Sequence, residues 1–224
     1  AYSVLFNRRV YEHRREALRH EVMYNLNVLE PLGLEVGIEI PQIALSEQDH
    51  AFAEAWMASE GITDDTAMFV LHPGSGGSAR DWPLRHFSEL ARRLQDDGMG
   101  TVVITGGPGE ENLVEAVMAD SQSEVHTLVG KTSIKQLAAV LTRSSLCVAN
   151  STGPMHLAAA VGTPTIGLFC PITSCSPARW GPYGDGHRAL QPSVPACPEC
   201  IGAACSYFDC MDRISVDSVV QTAR

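Results

Sequence analysis

A regular alternation begins near residue 65 and is the feature that most constrains the fold. Short apolar runs rich in β-branched residues are separated by helix-length amphipathic segments. This pattern is typical of a parallel α/β sheet, because each crossover between parallel strands needs a helix. We predict strands over residues 67–72, 101–105, 125–129, 145–149 and 165–169. We predict helices over residues 47–59, 84–95, 110–121, 134–142, 154–161 and 216–222.

The predicted strands are nearly continuous in apolar residues and are joined by short connections. Strands of this kind are buried on both faces, so helices should cover both sides of the sheet. The predicted fold is therefore a Rossmann-like, doubly wound parallel sheet. Ligands of such folds bind at the carboxyl ends of the strands, and the loops there are the expected place for chemistry.

Residues 1–45 do not follow this pattern. Arginine and glutamate alternate at helical spacing, and Val22, Leu26 and Leu29 then form an apolar stripe with nothing before it to pack on. We interpret residues 1–45 as the remnant of an N-terminal domain and a linker. Residues 46–224 would then form one Rossmann-like domain. A free-standing helical arm is the alternative for the first segment.

Charge and hydropathy exclude several functional classes. The 224 residues carry 16 basic and 26 acidic side chains, for a net charge of −10. Nucleic-acid binding is not expected, because it depends on basic residues that displace counterions from the phosphate backbone. The apolar runs are too short to span a bilayer, and no secretory signal is recognisable. We therefore expect a cytoplasmic protein.

The loop predicted after the first strand, residues 72–83 (HPGSGGSARDWP), is rich in glycine. Glycines directly after a strand let the backbone approach a ligand and turn its amides toward a phosphate. The serines add hydroxyl groups, and the arginine adds a permanent charge that suits phosphate oxygens. The phosphate-binding candidates are Ser75, Gly76, Gly77, Ser78 and Arg80. A turn without a ligand is the alternative.

The loop after the fourth predicted strand, residues 150–160 (NSTGPMHLAAA), opens a helix. Ser151 or Thr152 can cap this helix, and Gly153 leaves space for a ligand against its first amides. The partial positive charge of a helix N-terminus suits a diphosphate. His156 can donate a hydrogen bond to a phosphate oxygen, although a packing role is the alternative.

The loop after the second predicted strand, residues 106–111 (GGPGEE), ends in two carboxylates. Glu110 and Glu111 can accept hydrogen bonds from ribose hydroxyls. Alternatively, they only favour a helix N-terminus, as acidic residues do.

Four segments together resemble glycosyltransferase family 9: HPGSG with RDWP, TGGPGE, NSTGPMHLAAAVGTPT and RWGPYG. The resemblance is strong over residues 65–224 and looser over residues 1–64. It implies the C-terminal, nucleotide-sugar-binding half of a GT-B glycosyltransferase that is inverting and metal-independent. The best-known members are ADP-heptose:lipopolysaccharide heptosyltransferases. An ADP-heptose donor and a lipopolysaccharide inner-core acceptor, at the inner face of the bacterial inner membrane, are therefore implied.

The resemblance also implies roles for single residues. Ser75 and Gly76 match positions beside the diphosphate, and Arg80 stands where many members have lysine. An acidic residue near the ribose falls at Glu110 or Glu111. The segment that begins at Ser151 matches a D-[ST]-G-x-x-H motif, with serine in place of the aspartate.

The departure from the motif at Ser151 leaves the sugar open, so a GT-B relative with another nucleotide sugar remains an alternative. The family's catalytic base lies in the N-terminal domain, and nothing in residues 1–64 matches it. We therefore expect no catalytic base in this chain, which would bind the donor without transferring it. A third interpretation of the chain is a non-catalytic nucleotide-binding module.

A cysteine cluster lies near the end of the chain, with the spacing C-x2-C-x4-C-x4-C. Four cysteines can coordinate zinc tetrahedrally, and such a site would be structural because no position stays open. Disulfides and free thiols are the alternatives. No cofactor is expected to be required for catalysis. The candidate ligands are Cys197, Cys200, Cys205 and Cys210.

Overall fold

A computed structural model describes residues 7–35, 37, 40–77, 80–121 and 124–224. The strands are β1 Met68–His72, β2 Thr101–Gly106, β3 His126–Val129, β4 Leu146–Asn150, β5 Thr165–Leu168 and β6 Arg188–Leu190. The α-helices are α1 Glu21–Asn27, α2 Glu47–Ser59, α3 Leu84–Asp96, α4 Glu111–Ser121, α5 Ile134–Thr142, α6 Gly153–Ala160, α7 Pro177–Trp180 and α8 Val216–Ala223. Short 3-10 helices lie at Arg14–Glu16, Glu30–Leu32, Thr173–Cys175, Gly202–Ala204 and Cys210–Arg213.

The strands form one parallel sheet in the order β3-β2-β1-β4-β5-β6. This order is that of the Rossmann-like doubly wound fold, and the predicted fold class is confirmed. The direction of winding reverses between β1 and β4, which pair from Phe69 with Leu146 to His72 with Ala149. A crevice opens at such a reversal, beyond the carboxyl ends of the two strands.

Successive side chains of the buried strands point to opposite faces of the sheet, and each face has its own hydrophobic core. Phe69 and Leu71 pack into one cluster with residues of α3, α4 and α8. Met68 and Val70 pack into a second cluster with residues of α2, α5 and α6. Helices therefore cover both faces, because successive strand residues point in opposite directions.

The predicted strands and helices are all present, and their ends differ from the predicted ones by at most one residue. The edge strand β6 was not predicted, because Arg188 and Ala189 are exposed and its three residues carry no apolar pattern. Helix α7 is similarly short and was not predicted. None of the helices in the described ranges is both long enough and apolar enough to cross a bilayer.

The described part of the N-terminal segment packs against the chain that follows β5. The first residue of α1, Glu21, is buried there, and His20 contacts the backbone at Gly181. Val22, Leu26 and Leu29 are partly exposed. The division of the chain at residue 45 stays a prediction.

Candidate functional site

A pocket of about 270 Å³ opens beside the first turn of α6. It contains four of the residues predicted from the loop after β4 and two from the chain after β5. Because this loop follows β4, the pocket lies at the carboxyl edge of the sheet, where a doubly wound fold binds its ligand. The lining residues are Ser151, Thr152, Gly153, His156, Cys175 and Trp180.

The start of α6 leaves its amides facing this pocket. Thr152 is the N-cap residue with an extended backbone, and Pro154 lies within the first two helical positions. The Thr152 side chain makes no capping hydrogen bond to the first-turn amides. An anion can therefore bind the first-turn amides without displacing the Thr152 hydroxyl.

His156 lies in the first turn of α6 and lines the same pocket. Burial lowers the pKa of its imidazole, and the nearby His20 lowers it further. The ring is therefore neutral near pH 7, and it can offer a ligand one N–H donor but no positive charge.

Trp180 and Cys175 also line the pocket, and neither was predicted as a site residue. The Trp180 ring meets the His156 ring edge-on at a centroid distance of 6.2 Å, and its Nε1 donates to the Ser174 carbonyl at 3.1 Å. The RWGPYG segment contributed to the family resemblance. However, no chemistry was assigned to its tryptophan, because an aromatic residue alone does not indicate a ligand.

The glycine loop after β1 has two residues in the left-handed backbone region. Gly76 and Gly77 have φ of +57° and +78° and are exposed, a conformation that residues with a Cβ rarely adopt. Ser75 is buried, and its Oγ accepts a hydrogen bond from the Gly77 amide at 3.3 Å. Ser78 lies outside the described residues.

Asn150, the last residue of β4, fixes this loop to the sheet. Its side chain is fully buried, with Oδ1 accepting from the Trp82 amide at 2.9 Å and Nδ2 donating to the Pro73 carbonyl at 2.7 Å. One amide side chain therefore holds both ends of the loop next to the start of α6. Sequence analysis missed this role, because an asparagine at the end of a strand is usually read as part of a turn.

Glu110 contacts the glycine loop rather than the pocket. Its Oε2 accepts from the Gly107 amide at 2.7 Å and lies 3.9 Å from Nε2 of His72. A Cβ on Gly74 would lie only 2.1 Å from Oε1, so the carboxylate packs directly against this glycine. Glu111 is exposed. The two glutamates do not line the pocket, and their assignment to the ribose stays a prediction.

His72 is buried beneath the same loop. Its Nδ1 lies 2.9 Å from Oγ1 of Thr105, and burial lowers the pKa of the imidazole to about 4, although Glu110 partly opposes this shift. His72 is therefore neutral at physiological pH and acts as a hydrogen-bonding core residue.

Arg80 points away from the pocket, toward the cysteine segment. Its Nη1 donates to Sγ of Cys200 at 3.0 Å, and its Nη2 donates to the Phe208 carbonyl at 3.0 Å. The guanidinium also lies over the Phe208 ring. This segment supplies the acceptors that Arg80 uses, so the structure does not bring Arg80 together with the residues of α6.

The four clustered cysteines line one small cavity together with Arg80. None of the seven cysteines forms a disulfide. Sγ of Cys200 accepts from Arg80 and Sγ of Cys205 accepts from the Tyr207 amide, so these two thiols have separate partners. Among the described residues, no group of His, Cys, Asp or Glu is arranged as a metal site. Zinc at Cys197, Cys200, Cys205 and Cys210 stays a prediction without geometric support.

Comparison with curated proteins identifies relatives that are longer than this chain. A Haemophilus influenzae protein named as a glycosyltransferase is 28% identical over 204 residues, which are 88% of this chain and 59% of the relative. The lipopolysaccharide core heptosyltransferase OpsX of the same organism is 27% identical over 146 residues, which are 64% of this chain and 40% of the relative. The chain thus spans about half the length of these relatives.

Solved structures show the same fold. A glycosyltransferase of family 9 from Veillonella parvula superposes with a TM-score of 0.84 at 24% identity, covering 99% of this chain and 63% of that one. The Escherichia coli heptosyltransferase WaaC with ADP superposes with a TM-score of 0.62 at 22% identity, covering 98% of this chain and 59% of that one. The chain therefore has the same fold as the matched part of these two glycosyltransferases.

The family-level comparison covers nearly the whole sequence. A sequence model of glycosyltransferase family 9 (heptosyltransferase) matches residues 1–207. The match includes the glycine loop, the start of α6 and the N-terminal segment. The chain belongs to glycosyltransferase family 9, the heptosyltransferase family.

Proposed function

We propose that this chain is the donor-binding part of a heptosyltransferase of lipopolysaccharide biosynthesis, and that its donor is ADP-heptose. The observation that carries the proposal is the pocket beside α6, which is lined by the start of a helix that Thr152 does not cap and by the neutral imidazole of His156, at the carboxyl edge of the sheet. This combination suits a diphosphate, which accepts hydrogen bonds from amides and from an imidazole N–H. A family relative of the same fold has been solved with ADP.

The donor would lie across the two loops that Asn150 holds together. In this proposal, the diphosphate binds between the glycine loop, with Ser75, Gly76, Gly77 and Ser78, and the turn from Ser151 to His156. Arg80 would leave the cysteine segment to neutralise the diphosphate, and Glu110 or Glu111 would accept from the ribose. Ser151, in place of an aspartate, would contact the sugar through a neutral hydroxyl.

The proposed chemistry is transfer of heptose to the lipopolysaccharide inner core with inversion and without a metal ion, as the family resemblance implies. The residues of this chain would stabilise the negative charge that develops on the departing diphosphate. The proton of the acceptor hydroxyl would be taken by a base on the N-terminal domain of the family. The acceptor would be reached by peripheral contact with the inner membrane.

A nucleotide panel tests the donor assignment. ADP at a hundredfold excess over its Kd should stabilise the folded chain by about 2.7 kcal/mol and raise Tm by about 5–10 °C, whereas UDP should have a smaller effect. His156→Ala should reduce the ADP effect, and Ser144→Ala, in a buried serine away from the pocket, should not. A larger shift with UDP would favour the GT-B relative with another donor.

A transfer assay tests whether this chain binds the donor but cannot transfer the sugar without the N-terminal domain of the family. We expect this 224-residue chain to bind ADP but to transfer no heptose from ADP-heptose to a heptose-deficient core acceptor. Positioning of an acceptor contributes about 7–11 kcal/mol to lowering a barrier, and a base about 10²–10⁴-fold in rate. Turnover at the rate of a full-length relative would place the base within this chain. A full-length protein that binds ADP and lacks transfer would be a non-catalytic module.

A further inference from the structure

A buried carboxylate on α1 has no part in the proposed contacts with the donor. Glu21 is only 9% exposed, and its two oxygens bind two arginines, Arg14 through Oε1 and Arg179 through Oε2. The Arg179 Nε lies 2.7 Å from Oε2, and Arg179 Nη1 donates to the Arg14 carbonyl at 3.0 Å. A buried carboxylate keeps its charge only when it is paired in this way. Glu21 therefore ties the N-terminal segment to α7.

The same arginine supports the wall of the donor pocket. The guanidinium carbon of Arg179 lies 4.7 Å from the ring centroid of Trp180, within the range of a cation–π contact. Trp180 in turn meets the His156 ring edge-on, and both residues line the pocket. A chain of direct contacts therefore runs from Glu21 through Arg179 to the pocket wall.

The residue before Glu21 makes a second connection. Nδ1 of His20 accepts from the Val22 amide at 3.2 Å, so Nε2 is the nitrogen that donates to the Gly181 carbonyl, at 2.8 Å. The ring also packs on Tyr183 at a centroid distance of 4.5 Å. The backbone on the C-terminal side of Trp180 is thus also held by the N-terminal segment.

We propose that Glu21 and Arg179 are positioning residues for the donor pocket: their ion pair holds Trp180 against His156 and thereby sets the pocket shape. The proposal rests on the donor-binding function proposed above. Neither residue lines the pocket, so both act on the donor through Trp180. In this arrangement, the N-terminal segment controls donor affinity without touching the donor.

The test compares Glu21→Gln with Glu16→Gln, which neutralises an exposed glutamate of the same segment. Both are made in a Trp56→Phe background. The chain has three tryptophans, and Trp82 is fully buried, so a change in iodide quenching of fluorescence in this background reports on Trp180. The affinity for ADP is measured by calorimetry on the same proteins.

Glu21→Gln should increase iodide quenching and weaken ADP binding by about 3- to 30-fold, while Glu16→Gln should change neither. A role in folding alone would lower Tm without altering quenching or affinity in the folded protein. Where the Trp56→Phe parent binds ADP, the proposal is overturned if either readout for Glu21→Gln equals that of Glu16→Gln.

A second variant is available if Glu21→Gln cannot be used. If Glu21→Gln does not fold, Arg179→Met replaces it, since methionine retains an unbranched stem over Trp180 without the ion pair. The same two readouts then apply. If the Trp56→Phe protein binds no ADP, the donor function fails, and quenching alone decides whether Glu21 positions Trp180.

Discussion

Replacement of Asn150 by alanine should destabilise the fold and loosen the glycine loop at the same time. The substitution removes the acceptor of the Trp82 amide and the donor to the Pro73 carbonyl, and both partners are buried. A buried polar group left without a partner costs about 1–3 kcal/mol, so the loss of two partners should lower the free energy of unfolding by about 2–6 kcal/mol. For a domain stable by about 5–15 kcal/mol, that is a large fraction of the total.

Urea denaturation followed by circular dichroism measures this loss, and Ser144→Ala is its control. Ser144 is also buried, and its Oγ donates to the Val140 carbonyl at 3.1 Å. That carbonyl also accepts from the Arg143 amide, so the control leaves no buried group unpaired and should cost less than about 1 kcal/mol. Calorimetry should also show weaker ADP binding by Asn150→Ala at a temperature where it is folded.

The reasoning would be refuted if Asn150→Ala and Ser144→Ala had the same unfolding free energy within error. The loop would then be held by contacts other than the Asn150 amide. Unchanged ADP affinity in a destabilised Asn150→Ala protein would separate the two effects and remove the loop from the binding site.

Three further predictions concern the same edge of the sheet. Arg80→Ala should weaken ADP binding about ten- to a hundredfold, more than Arg80→Lys, because a charge-assisted hydrogen bond is lost; equal calorimetric affinities for wild type and Arg80→Ala would remove Arg80 from the site. Gly74→Ala should lower Tm, because its Cβ would lie 2.1 Å from Oε1 of Glu110, and adding Glu110→Ala should restore part of the loss; strictly additive changes in Tm would contradict this contact. Burial lowers the pKa of His72 from 6.5 to about 4, so the native state disfavours protonation, and stability should fall by up to about 3 kcal/mol as pH drops from 6.5 to 4. In His72→Gln, the urea concentration at the unfolding midpoint should depend less on pH over that range. An unchanged pH dependence would exclude His72 as the cause.

Much of the fold could be predicted, because the sequence patterns that indicate its strands and helices are local. The apolar period of each strand and helix can be read in a short window, without reference to the rest of the chain. The loop that opens α6 could likewise be placed, since the topology of a parallel sheet brings such loops to one edge. Four of the predicted residues, Ser151, Thr152, Gly153 and His156, indeed line one pocket.

The contacts that sequence analysis missed join distant parts of the chain. Glu21 and Arg179 are separated by 158 positions, and nothing near Glu21 distinguishes it from the exposed glutamates of the same segment. The orientation of Arg80 depends on acceptors 120 or more residues away. Residue type and local spacing carry no information about such partners, so only the folded arrangement could supply them.

The pairing of β1 with β4 affects the rate at which the binding crevice forms during folding. The Asn150–Pro73 hydrogen bond closes a loop of 77 residues, and β2, α4, β3 and α5 all lie inside it. Contacts this far apart form slowly, because the entropy of the intervening chain is lost before the contacts compensate for it. The binding crevice should therefore be among the last features to appear during refolding. A nascent chain that has not yet emerged beyond residue 150 should have no crevice at all, even if its first two strands are already paired.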